Sequence, residues 1–89
     1  MYEVIFTAEA LEGAKALRKS NAQSFKKLSK LIDELKEHPY TGTGHPKPLT
    51  YITGVWVRYI DKKNRLLYTV TDMEILVTII SVTGHYYDK

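Results

Sequence analysis

Two arginines, a tryptophan and a late histidine carry most of the chemistry open to this 89-residue chain. Trp56 and Arg58 lie in an apolar run over 55–60, Arg65 opens a second run over 65–70, and His85 follows a third over 75–82. These runs are rich in β-branched and aromatic residues and are joined by polar connections at 61–64 and 71–74, so they read as strands of a meander. If 61–64 closes a regular hairpin, Ile60 sits opposite Arg65 and Arg58 opposite Leu67. Alternation then places Val55, Val57, Tyr59, Leu66, Tyr68 and Val70 on one face, apolar enough for a core. The other face carries Trp56, Arg58, Ile60, Arg65, Leu67 and Thr69. Arg58 and Arg65 become diagonal neighbours there, with Cα atoms roughly 7–8 Å apart. Two such charges repel unless an anion comes between them, and guanidinium forks match phosphate oxygens bidentately. The same spacing also suits two arginines that solvate an exposed face and pair with Glu74 or Asp72. Trp56 fits either a core edge or a platform for a stacked base.

His85 extends the set. Imidazole titrates near neutrality, and nearby cations favour its neutral form. Phosphoryl transfer without a metal needs cations for the developing charge and a proton donor for the leaving oxygen. Arg58, Arg65, His85 and a tyrosine supply such parts. Other constellations fail. His38, His45 and His85 lack metal-ligand spacing and have no carboxylate cluster nearby, so no metal or cofactor is expected. Gly42-Thr43-Gly44 is too short and misplaced for a phosphate-cradling loop, and no Ser-His-Asp logic is visible.

The elements that must position these residues are legible. Residues 2–6 form a short strand. Thr7 caps a helix whose Ala10, Leu11, Ala14 and Leu17 recur at helical spacing, slightly weakened by Gly13. Ser20-Asn21-Ala22-Gln23 has the form of a capping box and starts a second helix. Phe25, Leu28, Leu31, Ile32 and Leu35 make its apolar stripe, Glu34 and a set of lysines face away, and Pro39 stops it. Residues 40–54 read as a loop of about 15 residues, a length that tends to be functional. The expected architecture is α+β, one domain over 1–89, with two N-terminal helices packed on a twisted antiparallel sheet.

Composition bounds the partners. Thirteen Lys+Arg against ten Asp+Glu give +3 and a pI near 9.1, compatible with a polyanion but not demanding one. Seven tyrosines and one tryptophan are many for the length. So small a domain sits near the lower limit of self-sufficient folding, so partner binding is an expected contributor to its stability. The absence of cysteine removes disulfides and thiolate zinc sites and fits a reducing compartment. MYEVIFTAEA has no features of an export signal, and no apolar run reaches membrane-spanning length. The cytoplasm, with no membrane association, is the expectation.

Several pieces together resemble a known family. Gly42-x-Gly44-x-Pro46-x-Pro48-Leu49, Gly54-x-Trp56-x-Arg58-x-Ile60, Asn64-Arg65-Leu66-Leu67-Tyr68 and His85-Tyr86 are similar, in order and spacing, to the Txe/YoeB branch of the RelE/ParE toxin superfamily. The likeness spans nearly the whole chain. It implies a microbial-ribonuclease-like fold and metal-independent cleavage of mRNA on the ribosome, in which the ribose 2′-hydroxyl attacks the adjacent phosphate. It also implies neutralisation by a cognate antitoxin, contact with operator DNA only through that antitoxin, and capacity for a homodimer. By the same resemblance Arg65 stabilises the transition state, His85 is the general acid, and Tyr86 orients the substrate. Arg58 matches the first of two consecutive arginines, and Tyr59 replaces the second.

The chain departs from the family at the proposed base. Lys47 stands where the family usually has a glutamate, Val57 replaces a serine, and Asn64 replaces a histidine. A lysine of ordinary pKa, near 10.4, is protonated at pH 7 and takes up no proton. Neighbouring arginines would lower that value, which keeps a lysine base open. A one-residue shift of the loop would instead turn His45 inward. The candidate catalytic set is therefore Arg65, His85, Lys47 and Tyr86, and the candidate substrate-binding set is Arg58, Trp56, His45 and Tyr59. The alternative is a catalytically weakened relative that binds antitoxin, RNA or ribosome without cutting.

Overall fold

The computed structural model describes residues 1–84. The chain enters as strand β1 (Glu3–Phe6), then forms helices α1 (Ala8–Ser20) and α2 (Ala22–Glu37). Strands β2 (Lys47–Pro48), β3 (Trp56–Tyr59), β4 (Arg65–Thr71) and β5 (Leu76–Thr83) follow. They join β1 in one five-stranded sheet of order β1-β5-β4-β3-β2. The class is α+β, with two helices packed on the sheet, as the patterning predicts. The sheet is mixed rather than wholly antiparallel, because β1 pairs parallel to β5 with Val4 against Val77.

Capping chemistry sets the helix starts. The Thr7 hydroxyl accepts the Ala10 N–H at 3.1 Å and donates to the Ile80 carbonyl at 3.2 Å, tying the start of α1 to β5. Ile80 is an extra residue in β5: Leu67 pairs with Ser81, but Tyr68 pairs with Ile79. Such a bulge resets the alternation, so both Ile79 and Val82 face the helices. The cap of α2 is Asn21, whose side chain accepts the Ser24 N–H at 3.1 Å. Ser20 is the last residue of α1 rather than the cap of α2.

The apolar stripes meet over the sheet. Ala10, Ala14 and Leu17 of α1 and Leu28, Leu31 and Leu35 of α2 pack on Ile60, Leu66, Tyr68, Val77, Ile79 and Val82. The arrangement requires α1 to come close to β5, and Gly13 permits it. A Cβ at Gly13 would overlap the carbonyl oxygen of Val82 and stand 3.0 Å from its carbonyl carbon. Alanine improves helix propensity by about 1 kcal/mol, but displacing a sheet strand outweighs that. Gly13→Ala is therefore expected to lower stability by about 2 kcal/mol, read as a fall of roughly 8–16 °C in Tm. A variant that melts at or above the parent temperature would show that α1 does not sit this close.

The hairpin between β3 and β4 closes one residue earlier than regular spacing predicts. Tyr59 pairs with Arg65 and Arg58 with Leu66, so Ile60 belongs to the turn and drops into the core. Asp61 is the cause. Its carboxylate accepts the N–H groups of Lys63 at 2.8 Å and Asn64 at 2.6 Å, while the Asn64 carbonyl accepts from both Ile60 and Asp61. The second helix fastens this turn: Ser24 donates to Asp61, and Lys27 donates to the Ile60 carbonyl at 3.2 Å. A one-residue slip moves every side chain of one strand to the opposite face.

Candidate active site

The slip separates the two arginines. Arg65 shares the face away from the helices with Lys47, Val57, Tyr59, Leu67, Ser81 and Thr83. Arg58 lies on the helix side with Trp56 and Tyr68. The expected Arg58/Arg65 pair is thus corrected, and Val57 and Tyr59 leave the helix-side core. Trp56 is also corrected as a neighbour of Arg65: it packs against the core, its ring edge-on to Tyr40 at 5.1 Å.

Arg58 is fully buried, at 0% exposure, and all five of its N–H groups have partners. Nε donates to the Tyr68 hydroxyl at 3.3 Å. Nη1 donates to Glu34 at 3.0 Å and to the Thr43 carbonyl at 3.2 Å. Nη2 donates to the carbonyls of Thr41 at 2.8 Å and of His38. Glu34 is the countercharge and also accepts from Thr43, at 2.8 Å from its N–H and 2.6 Å from its hydroxyl. The Tyr68 hydroxyl in turn donates to the Pro39 carbonyl at 2.8 Å. The guanidinium has no N–H left for a phosphate. Its expected substrate-binding role is replaced by a structural one.

Residues 40–46, the first part of the 40–54 stretch that the sequence marks as loop, are organised by that cage. Gly44, at φ 88°, lets the chain pass close to β3; its carbonyl accepts the Tyr59 N–H at 2.8 Å. The segment then pairs as β2, with Lys47 against Val57. It delivers Lys47 and the exposed His45 to the edge of β3, beside Tyr59.

The opposite face gathers three of the candidates. The Arg65 guanidinium lies over the Tyr59 ring at 4.4 Å, and the Lys47 ammonium lies 5.4 Å from the same ring. Arg65 Nη1 also donates to the carbonyls of Asp61 at 3.2 Å, Lys62 at 3.0 Å and Asn64 at 3.4 Å. A stacked and tethered guanidinium gives up little rotamer freedom when it meets an anion. No carboxylate stands among the face residues named above. Among the described residues no three His, Asp or Glu side chains converge as a metal site would require. His85 and Tyr86 lie outside the described residues.

Sequence reasoning missed the supports: Glu34 and Thr43 behind Arg58, and Ser24 and Asp61 behind Arg65. Glu34 stands three residues after Leu31 and one before Leu35, on the border of the α2 stripe, which was the available signal. Both supporting carboxyls titrate below the ordinary range. For Glu34 the Thr43 hydroxyl is the main cause; burial opposes it, and the Thr43 N–H and Arg58 reinforce it. For Asp61 burial is the largest influence and acts upward, but bonds from Ser24, Asn64 and Lys63 together outweigh it.

Folded-state values below the unfolded ones mean that the unfolded chain binds more protons in acid. The stabilisation is complete above about pH 5 and is lost as pH falls through the depressed folded values. The urea midpoint should be flat from about pH 7 to 5 and then decline toward about pH 3, with a shallower decline in Glu34→Gln. A midpoint that rises over the acid range would contradict these assignments.

Comparison with known proteins fits this architecture. The solved YoeB/ParE toxin from Agrobacterium tumefaciens superposes with a TM-score of 0.86 at 26% identity, covering 97% of this chain and 100% of that one. YoeB from Staphylococcus aureus, solved as a dimer and as a YoeB-YefM complex, gives TM-scores of 0.82 and 0.80 at 29% and 30% identity. Those matches cover 96% and 97% of this chain and 98% and 99% of theirs. Two helices on a five-stranded mixed sheet are the fold of these solved toxins of the RelE/ParE superfamily. The family model for the "YoeB-like toxin of bacterial type II toxin-antitoxin system" matches residues 6–86. Toxin YoeB of Mycobacterium bovis is 32% identical over 87 residues, 97% of this chain and 100% of that protein. The chain belongs to the YoeB-like toxins of type II toxin–antitoxin systems.

Proposed function

We propose that this toxin is a metal-independent endoribonuclease that cuts mRNA, acting on ribosome-bound message in the cytoplasm. The observation that carries the reading is the Arg65 guanidinium, stacked on Tyr59 and tethered by three turn carbonyls, with Lys47 on the same ring. In this reaction the ribose 2′-hydroxyl loses its proton to water as its oxygen bonds to the adjacent phosphorus, and the bond to the 5′-oxygen breaks. A 2′,3′-cyclic phosphate and a 5′-hydroxyl result.

Arg65 takes the charge that builds on the phosphoryl oxygens, and the donors it offers are strongest where water is displaced. Lys47 meets the phosphate from the β2 side, and Tyr59 holds the two cations apart. His45, exposed on the same edge, contacts the flanking nucleotide in this reading. His85 protonates the 5′-oxygen, with Tyr86 beside it orienting the substrate. In sequence His85 follows by two positions Thr83, the register partner of Arg65. Arg58 and Trp56 take no part in substrate contact. The cognate antitoxin neutralises the toxin and brings it to operator DNA, and self-association is a second expected contact. The YoeB-YefM complex and the YoeB dimer of the S. aureus relative support an antitoxin partner and self-association.

A second reading is favoured by one observation: Lys47 stands where the family resemblance expects a glutamate, and none of its described neighbours on that face, Val57, Tyr59, Arg65 and Leu67, is a carboxylate. On that reading the chain binds RNA without cutting. General-base catalysis is worth about 10²–10⁴-fold, so the cutting reading too predicts a slower rate than with a carboxylate in place. Mapping of mRNA ends in a cell-free translation system separates them. Cuts within the codon in the ribosomal A site establish the enzyme. Cuts absent from the wild type but produced by Lys47→Glu establish a silenced binder, and their absence from both removes the nuclease reading.

A further inference from the structure

We propose that Arg58 is a positioning residue for RNA recognition: its buried guanidinium, clamped by Glu34, sets where Lys47 meets the phosphate without itself touching RNA. The inference rests on the reading that Lys47 and Arg65 face the RNA backbone. Three successive stretches of the loop converge on the one side chain, through the carbonyls of His38, Thr41 and Thr43. The neighbouring residue of β3, Tyr59, holds the loop from the other side through the Gly44 carbonyl. Arg58 therefore pulls the loop against the helix side of β3, while Tyr59 catches it at the edge. Three residues later Lys47 emerges on the far face, in register with Val57. The path leaves little slack: a Cβ on Gly44 would already stand 3.0 Å from the Tyr59 carbonyl oxygen.

A loop held this way has its ordering cost met before RNA arrives, so the Lys47 contact is felt in full on binding. A slack loop would spread the ammonium over many positions, and its contribution to affinity would fade. Glu34 makes the arrangement sensitive to a single charge, because it binds the guanidinium and both donors of Thr43 at once. The feature that points to position is the convergence of every Arg58 N–H group on the loop that carries Lys47, on its stay Glu34, or on Tyr68, itself bonded to Pro39.

The test is a double-mutant cycle on the full-length chain, with binding read by fluorescence anisotropy. The probe is a short single-stranded RNA whose 2′-hydroxyls are replaced by hydrogen, so that it cannot be cut. Lys47→Ala is expected to weaken binding about tenfold in the parent and less than about twofold in Glu34→Gln. Arg65→Ala should have equal effects in both backgrounds, because its tether does not involve the loop. Circular dichroism checks the fold, and if Glu34→Gln is unfolded, Thr43→Val replaces it in the cycle. Conservative Arg58→Lys, which keeps the charge but offers three donors in place of five, should behave like Glu34→Gln.

Equal effects of Lys47→Ala in all backgrounds would overturn the proposal, as would no effect of Lys47→Ala in the parent. The nuclease reading fails separately. If the parent chain leaves ordinary mRNA uncut but the cycle shows the coupling, the positioning role stands and catalysis does not.

Discussion

Arg65→Ala is expected to lower the single-turnover rate of RNA cleavage by about 10²–10³-fold while leaving the fold intact. The size follows from where the guanidinium sits. It is held over the Tyr59 ring and by three carbonyls of the turn, so its donors are aimed before the reaction begins. Removing a prearranged donor to a developing oxyanion is among the more damaging single changes a site can suffer. The turn keeps its shape because Asp61, Asn64 and Ser24 hold it independently of Arg65. Arg65→Lys should recover only part of the loss, since an ammonium lacks the planar fork and stacks less well. The assignment fails if Arg65→Ala cleaves within about tenfold of the parent, and melting curves must coincide for the comparison to count.

Arg58→Met is expected to act through the fold, lowering stability by about 3–5 kcal/mol. Methionine fills much of the volume but supplies no donor. The carbonyls of His38, Thr41 and Thr43 lose their partner, and the Glu34 carboxylate is left without its buried countercharge. Chains of this length are stable by only about 5–13 kcal/mol, so a large share of the total is at stake. Urea denaturation measures the change directly. A phosphate-binding arginine would behave in the opposite way: its loss would spare the midpoint and weaken RNA binding. An unchanged midpoint would sink the buried-cage description of Arg58.

The contrast between these two arginines shows how far sequence reading reaches. Both were visible as cations in strand runs, and both entered the candidate site by spacing. Only one is on the proposed RNA face. The difference comes from one turn residue, Ile60, and from a carboxylate, Asp61, that shortens the hairpin by hydrogen-bonding its own backbone. The contacts that fasten the turn come from Ser24 and Lys27, more than thirty positions away. No local pattern reports them.

What was legible from sequence rests on short-range physics. The apolar stripe of α2, the Thr7 cap, the stop at Pro39 and the three back-half strands follow from periodicity and backbone preference within a few residues. The α+β class and the family motifs followed in turn. By propensity Gly13 is a weak point in a helix, and the tertiary structure makes it the place where α1 can touch β5. The composition of 40–54 marks a loop, and packing turns part of it into a caged path ending in a strand. Helical periodicity puts Glu34 on the solvated side of α2, yet it is the stay of a buried arginine. The chain by itself determined its elements and the residue types available for phosphate chemistry. Tertiary structure alone decided which face each residue takes, because register follows from long-range hydrogen bonds, and a shift of one position reverses every side chain.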